Sequence, residues 1–239
     1  QETNREIDLL QKELRKMAQE KNLLLTEAAE KRRTGRQART FEGEGNRQYL
    51  TGLKLGGERV LVLVDGSASM LDRKIVDIIR QKVLGQADRR TAPKWQKTVS
   101  TIEWIIANLP ARSSFQIHLF NTFVTPLIAD DKPGWVPVAD ARRTDALLQQ
   151  LGRYAPLYGT NLEEAFRQAA AISPPPDNII LLTDGLPTVR EREPRTRTVT
   201  SEYRAKLFSR ARKLLPASIP VNTILFPMEG DPLAPSLFW

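Results

Sequence analysis

Five oxygen-bearing residues carry the chemistry of this 239-residue chain. Asp65, Ser67 and Ser69 lie in one short stretch, Asp65-Gly66-Ser67-Ala68-Ser69. Thr160 follows in Gly159-Thr160-Asn161, and Asp184 in Thr183-Asp184-Gly185. Together they offer two carboxylates and three hydroxyls, with no imidazole and no thiolate. Such a set is hard and oxygen-only, so it suits Mg²⁺, or Mn²⁺ or Ca²⁺, over zinc or copper. Short neutral hydroxyls match an ion that keeps waters and near-octahedral geometry. With few anionic ligands the ion stays electrophilic, and a carboxylate from another molecule is a favoured further ligand. Any one of these turns alone reads equally well as a helix cap. The metal reading rests on all three together.

Their positions depend on the elements around them. Val60-Leu61-Val62-Leu63-Val64 is an unbroken aliphatic run ending at Asp65, and Asn178-Ile179-Ile180-Leu181-Leu182-Thr183 is a second ending at Asp184. Runs without polar alternation read as strands buried on both faces of a parallel sheet. Between and after them, strands alternate with helical patterns. Met70, Ile75, Ile78, Ile79 and Val83 fall at helical spacing over 70–84. Pro93 suits a first helical turn, with Val99, Ile102, Ile105, Ile106 and Leu109 on one face and Pro110 as the stop. Phe115–Phe120 alternates as a strand, with Val124–Ile128 as its hairpin partner. Asp140 caps a helix to Leu151; Asn161 caps another with Leu162, Ala165, Phe166, Ala169 and Ile172 inward. Ser201 opens a helix, and Val221–Phe226 is the last strand. This order predicts an α/β fold, Rossmann-like and doubly wound, with a mostly parallel sheet. In such sheets ligands sit at the carboxyl ends of strands, where the three turns converge.

The set resembles the metal-ion-dependent adhesion site of von Willebrand factor A domains. Asp65-x-Ser67-x-Ser69, the later Thr160 and the Thr183-Asp184-Gly185 turn match that pattern in order and spacing, over residues 58–239. The resemblance implies one antiparallel edge strand, and Ser67, Ser69 and Thr160 as direct ligands. Asp65 and Asp184 would act directly or through water, orienting and balancing charge. No position departs from the pattern, which implies the metal-competent form. The family fold usually continues to a further helix and edge strand, whereas this chain stops at Leu237-Phe238-Trp239. That suggests a truncated C-terminus.

Residues 1–35 have a different texture. Ile7, Leu10, Leu14, Met17, Leu24 and Ala28 follow an a/d heptad track, interrupted by Lys21, with Glu6, Glu13, Glu20 and Glu27 at g. This reads as a helical coiled-coil stalk that makes a homo-oligomer, a dimer, through residues 7–28. An amphipathic helix lying on the domain is the alternative. Residues 36–57 are a Gly-rich, basic linker.

Composition removes whole classes. With no cysteine there is no disulfide, thiol catalysis or zinc-thiolate site. His118 is the sole histidine and lies in mid-strand, so no Ser/His/Asp triad forms around it. A P-loop is absent. The net charge of +8 is modest for the length. Residues 186–213 hold nine Lys or Arg against three acids (Arg190, Arg192, Arg195, Arg197, Arg204, Lys206, Arg210, Arg212 and Lys213 being the nine). They form either a positive rim on the metal face or a solvated surface. Specific nucleic-acid binding lacks the interleaved aromatics it would need.

The expectation is a non-enzymatic binding module that ligates an Asp or Glu of a protein partner through Mg²⁺. Two alternatives stand: a Mg²⁺-dependent phosphoryl hydrolase with Asp65 as nucleophile or base, and a scaffold whose metal is structural. No run of about 18 apolar residues spans a membrane. The start at Gln1 leaves room for an upstream anchor. A stalked domain of this type further implies a bacterial envelope protein on the periplasmic side of the inner membrane, associated with an ion-driven motor or transport complex. A cytoplasmic assembly factor is the alternative.

Overall fold

The computed structural model describes residues 56–190 and 199–238. The stalk, most of the linker and Arg192, Arg195 and Arg197 lie outside the described residues. Among the described residues there are six strands: β1 (Arg59–Asp65), β2 (Ser114–Phe120), β3 (Val124–Pro126), β4 (Val136–Pro137), β5 (Asn178–Thr183) and β6 (Val221–Leu225). Seven helices accompany them: α1 (Ile75–Lys82), α2 (Gln86–Arg90), α3 (Pro93–Asn108), α4 (Ala141–Arg153), α5 (Leu162–Ala171), α6 (Ser201–Ala211) and α7 (Ala234–Phe238). The strand order is β3-β2-β1-β5-β6, with β4 also on β2.

The two aliphatic runs are the central strands. β1 pairs in parallel with β2 on one side (Asp65 opposite Phe120) and with β5 on the other (Val64 opposite Leu182). β6 extends the parallel set beyond β5. The antiparallel edge is two short pieces rather than one strand: β3 pairs the end of β2 and β4 its beginning.

Alternation along β1 divides the core. Val60, Val62 and Val64 face the layer holding Trp95, Ile102 and Ile106 of α3 and Leu147 and Leu151 of α4. Leu61 and Leu63 face Ala165 and Phe166 of α5 and Phe208 of α6. A strand covered on both sides has no place for a polar residue until it ends, which is why the run is uninterrupted. Asp140 and Asn161 cap α4 and α5 as expected, accepting from the Arg143 and Glu164 amides. Pro93 sits in the first turn of α3.

The 70–84 segment departs from a single core helix. Ala68–Leu71 is a 3₁₀ turn, and α1 begins only at Ile75. Met70 and Leu71 are buried, yet in α1 only Ile78 is. Trp135 is half-buried, packs against the α5–α6 layer and donates from Nε1 to the Pro174 carbonyl at 3.1 Å.

Candidate metal centre

The chain leaves β1, forms β2 on one side, and returns as β5 on the other. This reversal opens a crevice at the carboxyl ends of β1 and β5. Asp65 closes β1 and Asp184 follows β5, so adjacent strands deliver both aspartates. Thr160, in the loop before α5, is laced to them by main-chain bonds. The Leu157 amide donates to the Gly66 carbonyl at 3.0 Å, and the Ala68 amide to the Tyr158 carbonyl at 2.9 Å. The amides of Thr188 and Val189, beyond Asp184, donate to the Thr160 carbonyl at 3.0 and 3.1 Å. Glycines permit this closeness. A Cβ at Gly66 would stand 2.6 Å from the Tyr154 ring, and one at Gly185 2.3 Å from Asp231 Oδ2.

All five residues come together. Thr160 Oγ1 donates to Ser67 Oγ at 3.0 Å, Ser67 and Ser69 Oγ stand 2.9 Å apart, and Ser69 Oγ donates to Asp184 Oδ1 at 3.0 Å. Because the Ser69 proton goes to Asp184, the hydroxyls run one way, from Thr160 to Ser67 to Ser69 to Asp184. Asp65 lies behind this row, wholly buried. Its Oδ1 accepts from the Ser67 amide at 2.9 Å and its Oδ2 from Thr183 Oγ1 at 2.7 Å. Burial first, and then the Asp184 charge, pushes the Asp65 carboxyl up to about 7.

One member was not anticipated. Lys94, in the first turn of α3, is buried and donates to Asp184 Oδ2 at 2.7 Å. It also donates to the carbonyls of Ser69 at 2.9 Å and Asp72 at 3.1 Å. All three of its N–H groups are thus used inside the protein. The signal was in the sequence. Lys94, Thr98 and Ile102 recur at intervals of four and lie on the inward side of α3. A lysine on an apolar stripe requires a buried anion.

The basic segment after Asp184 divides. Arg204 is buried, bonded to the Leu186 carbonyl and paired with Asp231 at 2.8 Å, which fastens the third turn. Arg190 donates to Glu163 at 3.0 Å. Arg210, Arg212 and Lys213 lie where α6 ends and the chain turns toward the start of β6, at the amino edge of the sheet, so they do not rim the site. His118 is buried in β2, its Nε2 2.9 Å from Gln116 Oε1, and desolvation lowers its pKa to about 4.

Among the described residues no three His, Cys, Asp or Glu side chains cluster as a metal site. The oxygen count here depends on hydroxyls. Neighbouring ligands of an octahedral Mg²⁺ at roughly 2.1 Å stand about 3.0 Å apart. The Ser67–Ser69 and Ser67–Thr160 separations of 2.9 and 3.0 Å are ordinary hydrogen-bond lengths that an octahedral edge would also accept.

A profile of the von Willebrand factor type A domain matches residues 82–209. The chain belongs to the von Willebrand factor type A family. The match contains Thr160 and Asp184 and begins after Ser69, so the first turn is placed by the sheet. Such domains are protein-interaction modules, often metal-dependent. No curated protein matches the sequence. Among solved structures, the PilB minor pilin from Streptococcus sanguinis aligns with a TM-score of 0.52 at 16% identity, over 75% of this chain and 53% of that one. A von Willebrand factor type A protein from Catenulispora acidiphila gives 0.45 at 16%, over 70% and 33%. Manganese-loaded TRAP protein of Plasmodium vivax gives 0.43 at 17%, over 72% and 58%. The chain therefore spans between a third and somewhat over half of these proteins. Their likeness concerns the fold.

Proposed function

We propose that this domain holds a protein partner through a divalent cation, Mg²⁺ first, with Mn²⁺ or Ca²⁺ as substitutes. Ser67, Ser69 and Thr160 would supply its direct protein oxygens, and Asp65 and Asp184 would orient those hydroxyls from behind. The observation that carries this is the convergence of three hydroxyls from two separate turns into one row, backed by two aspartates bonded to the same loops. When bound, such an ion supplies an electrophilic point for an anionic ligand.

The residues set the charge. Two carboxylates and the Lys94 ammonium sum to about −1 when Asp65 is ionised, so a divalent ion leaves the centre near +1. An Asp or Glu side chain from a partner completes the balance. Exposed aromatic side chains stand on the same face: Phe123, just past β2, and Tyr158, two residues before Thr160. They suit a protein surface better than a small solute.

Against the hydrolase alternative, a nucleophile at Asp65 would need a free oxygen facing solvent. Both of its oxygens are engaged and the residue is wholly buried. The stalk reading adds a proposed dimer through residues 7–28, and the envelope, motor or transport setting is part of the same proposal. Among the described residues no helix is long and apolar enough to cross a membrane.

The test is a pull-down of interacting proteins with Mg²⁺ and with chelator, comparing wild type with Asp65→Ala plus Ser67→Ala. Partners recovered by wild type in Mg²⁺ and lost both on chelation and in the variant are expected. A partner set unchanged by either would overturn the reading.

A further inference from the structure

Among the described residues, exposed large apolar side chains concentrate in one place. Ile75, Val76, Ile79 and Val83 are 42%, 65%, 63% and 82% exposed, and Leu84 follows at 44%. Four of the five belong to α1 and its C-terminal cap. A surface helix ordinarily turns its apolar stripe to the core. Here the core takes Ile78 alone.

The geometry of the helix makes the stripe continuous. At about 100° per residue, Ile75, Ile79, Val83 and Val76 occupy an arc of about 100°, with Lys82 at one margin and Arg80 at the other. Ile78 points well outside that arc. Arg73 and Lys74, both exposed, precede the first turn. The acids in this stretch are already occupied: Asp77 pairs with Arg80 at 3.2 Å, and Asp72 accepts from Gln81 at 3.0 Å and from two amides. Arg80 thus has its charge offset by Asp77, and the excess positive charge beside the strip belongs to Lys82, Arg73 and Lys74.

It is also continuous with the candidate metal centre. Only the last two residues of the 3₁₀ turn Ala68–Leu71 and three further residues separate Ser69 from Ile75. On its other side α1 meets the loop after β6. The Glu229 amide donates to the Arg73 carbonyl at 2.8 Å, and a Cβ at Gly230 would lie 3.1 Å from the Ile75 side chain. Both neighbours belong to the carboxyl edge of the sheet.

We propose that α1 is the second contact for the protein partner, and that it takes an acidic amphipathic segment. Apolar side chains of that segment would lie on Ile75, Val76, Ile79 and Val83, while flanking Asp or Glu residues meet Arg80 and Lys82. Charge decides the occupant. A strip flanked by an excess of positive charge selects a segment flanked by anions and rejects a basic one. The inference rests on the reading that this face holds a protein partner. It adds the sequence character that the partner must have.

The experiment uses the full chain, immobilised in Mg²⁺, and selects from a displayed library of random peptides. Binding of selected peptides is then measured to wild type, Ile79→Asp, Arg80→Glu with Lys82→Glu, and Ser67→Ala, each with and without chelator. Circular dichroism verifies the fold, which changes at exposed positions should leave intact. Selected peptides should carry apolar residues at helical spacing flanked by Asp or Glu. Ile79→Asp and the charge reversal should each weaken them at least about tenfold. Peptides re-synthesised with Lys for Glu should regain binding to the reversed variant. No enrichment, a basic consensus, or affinity indifferent to both α1 variants would overturn the proposal. So would vesicles of phosphatidylserine and phosphatidylcholine bound by wild type and released by Ile79→Asp, or self-association abolished by the same change. Acidic peptides lost in Ile79→Asp but indifferent to chelator and to Ser67→Ala would support α1 while sinking the metal reading. Peptides with the opposite sensitivities would sink α1 and leave the metal standing.

Discussion

Replacing Lys94 with Met should divide two properties that usually move together. The side chain of Lys94 is 5% exposed, that of Asp184 3%, and their charged atoms are 2.7 Å apart. Methionine fills the same stem volume without the charge, so Asp184 keeps one oxygen on Ser69 and loses its cation. Breaking a buried pair from one side costs about 3–5 kcal/mol. In a domain of this size that lowers the metal-free melting temperature by roughly 10 °C. The effect on Mg²⁺ has the opposite sign. An ammonium one carboxylate away from a divalent ion repels it by several kcal/mol even at an effective dielectric constant of about 20. Removing it should tighten Mg²⁺ binding at least about tenfold, or ~1.4 kcal/mol. The assays are thermal denaturation in chelator and calorimetric titration of Mg²⁺. Loss of stability with tighter Mg²⁺ binding is expected. Unchanged or weaker Mg²⁺ affinity in a folded Lys94→Met protein would refute the assignment of Lys94 as the internal competitor for the metal.

Other expectations follow from single contacts. His118 has a folded pKa of about 4 against an ordinary 6.5, so it resists protonation in the fold. Its contribution to stability is present above pH 6.5 and is lost as pH falls through about 4, by up to ~3 kcal/mol; His118→Leu should flatten that part of a urea-denaturation profile against pH. Asp65 has the opposite sign. Its folded pKa is raised from 3.8 to about 7, so metal-free stability falls as pH rises across that window. Asp65→Asn should remove that decline in chelator and abolish Mg²⁺ stabilisation, both read by thermal denaturation. Gly66→Ala places a methyl 2.6 Å from the Tyr154 ring and should cost about 1–3 kcal/mol in chemical denaturation, with partial recovery in Gly66→Ala plus Tyr154→Leu. Ile102→Ala, at a fully buried position between α3 and the sheet, should cost about 2–5 kcal/mol in the same assay.

The central strands and the three turns were legible because they depend on local rules. A strand covered on both faces must be continuously apolar, and its polar residues wait for its end. Asp65 and Asp184 therefore announce themselves at the ends of Val60–Val64 and Asn178–Thr183. What remained hidden was relational. The apolar spacing of Ile75, Ile79 and Val83 says that a stripe exists but not what it faces, and it faces outward. Lys94 stood on the inward register of α3, but the anion that takes its charge, Asp184, lies 90 residues away along the chain. The basic stretch from Arg190 to Lys213 read as either a rim on the metal face or a solvated surface. Helix α6 carries its later members to the far edge of the sheet and turns Arg204 inward to Asp231. The antiparallel edge was foreseen as one strand. It is two short pieces, because the chain between Pro126 and Val136 leaves β2 and returns to it lower down.

Titration of Mg²⁺ into chelator-stripped protein is the most direct measurement of the central claim, with wild type beside Ser67→Ala and Thr160→Ala. Wild type should bind one ion, and each variant should retain its fold and lose at least about tenfold in affinity, as expected when one of a few direct ligands is removed. Absence of binding to wild type, or equal affinity in all three proteins, would contradict a metal held by Ser67, Ser69 and Thr160.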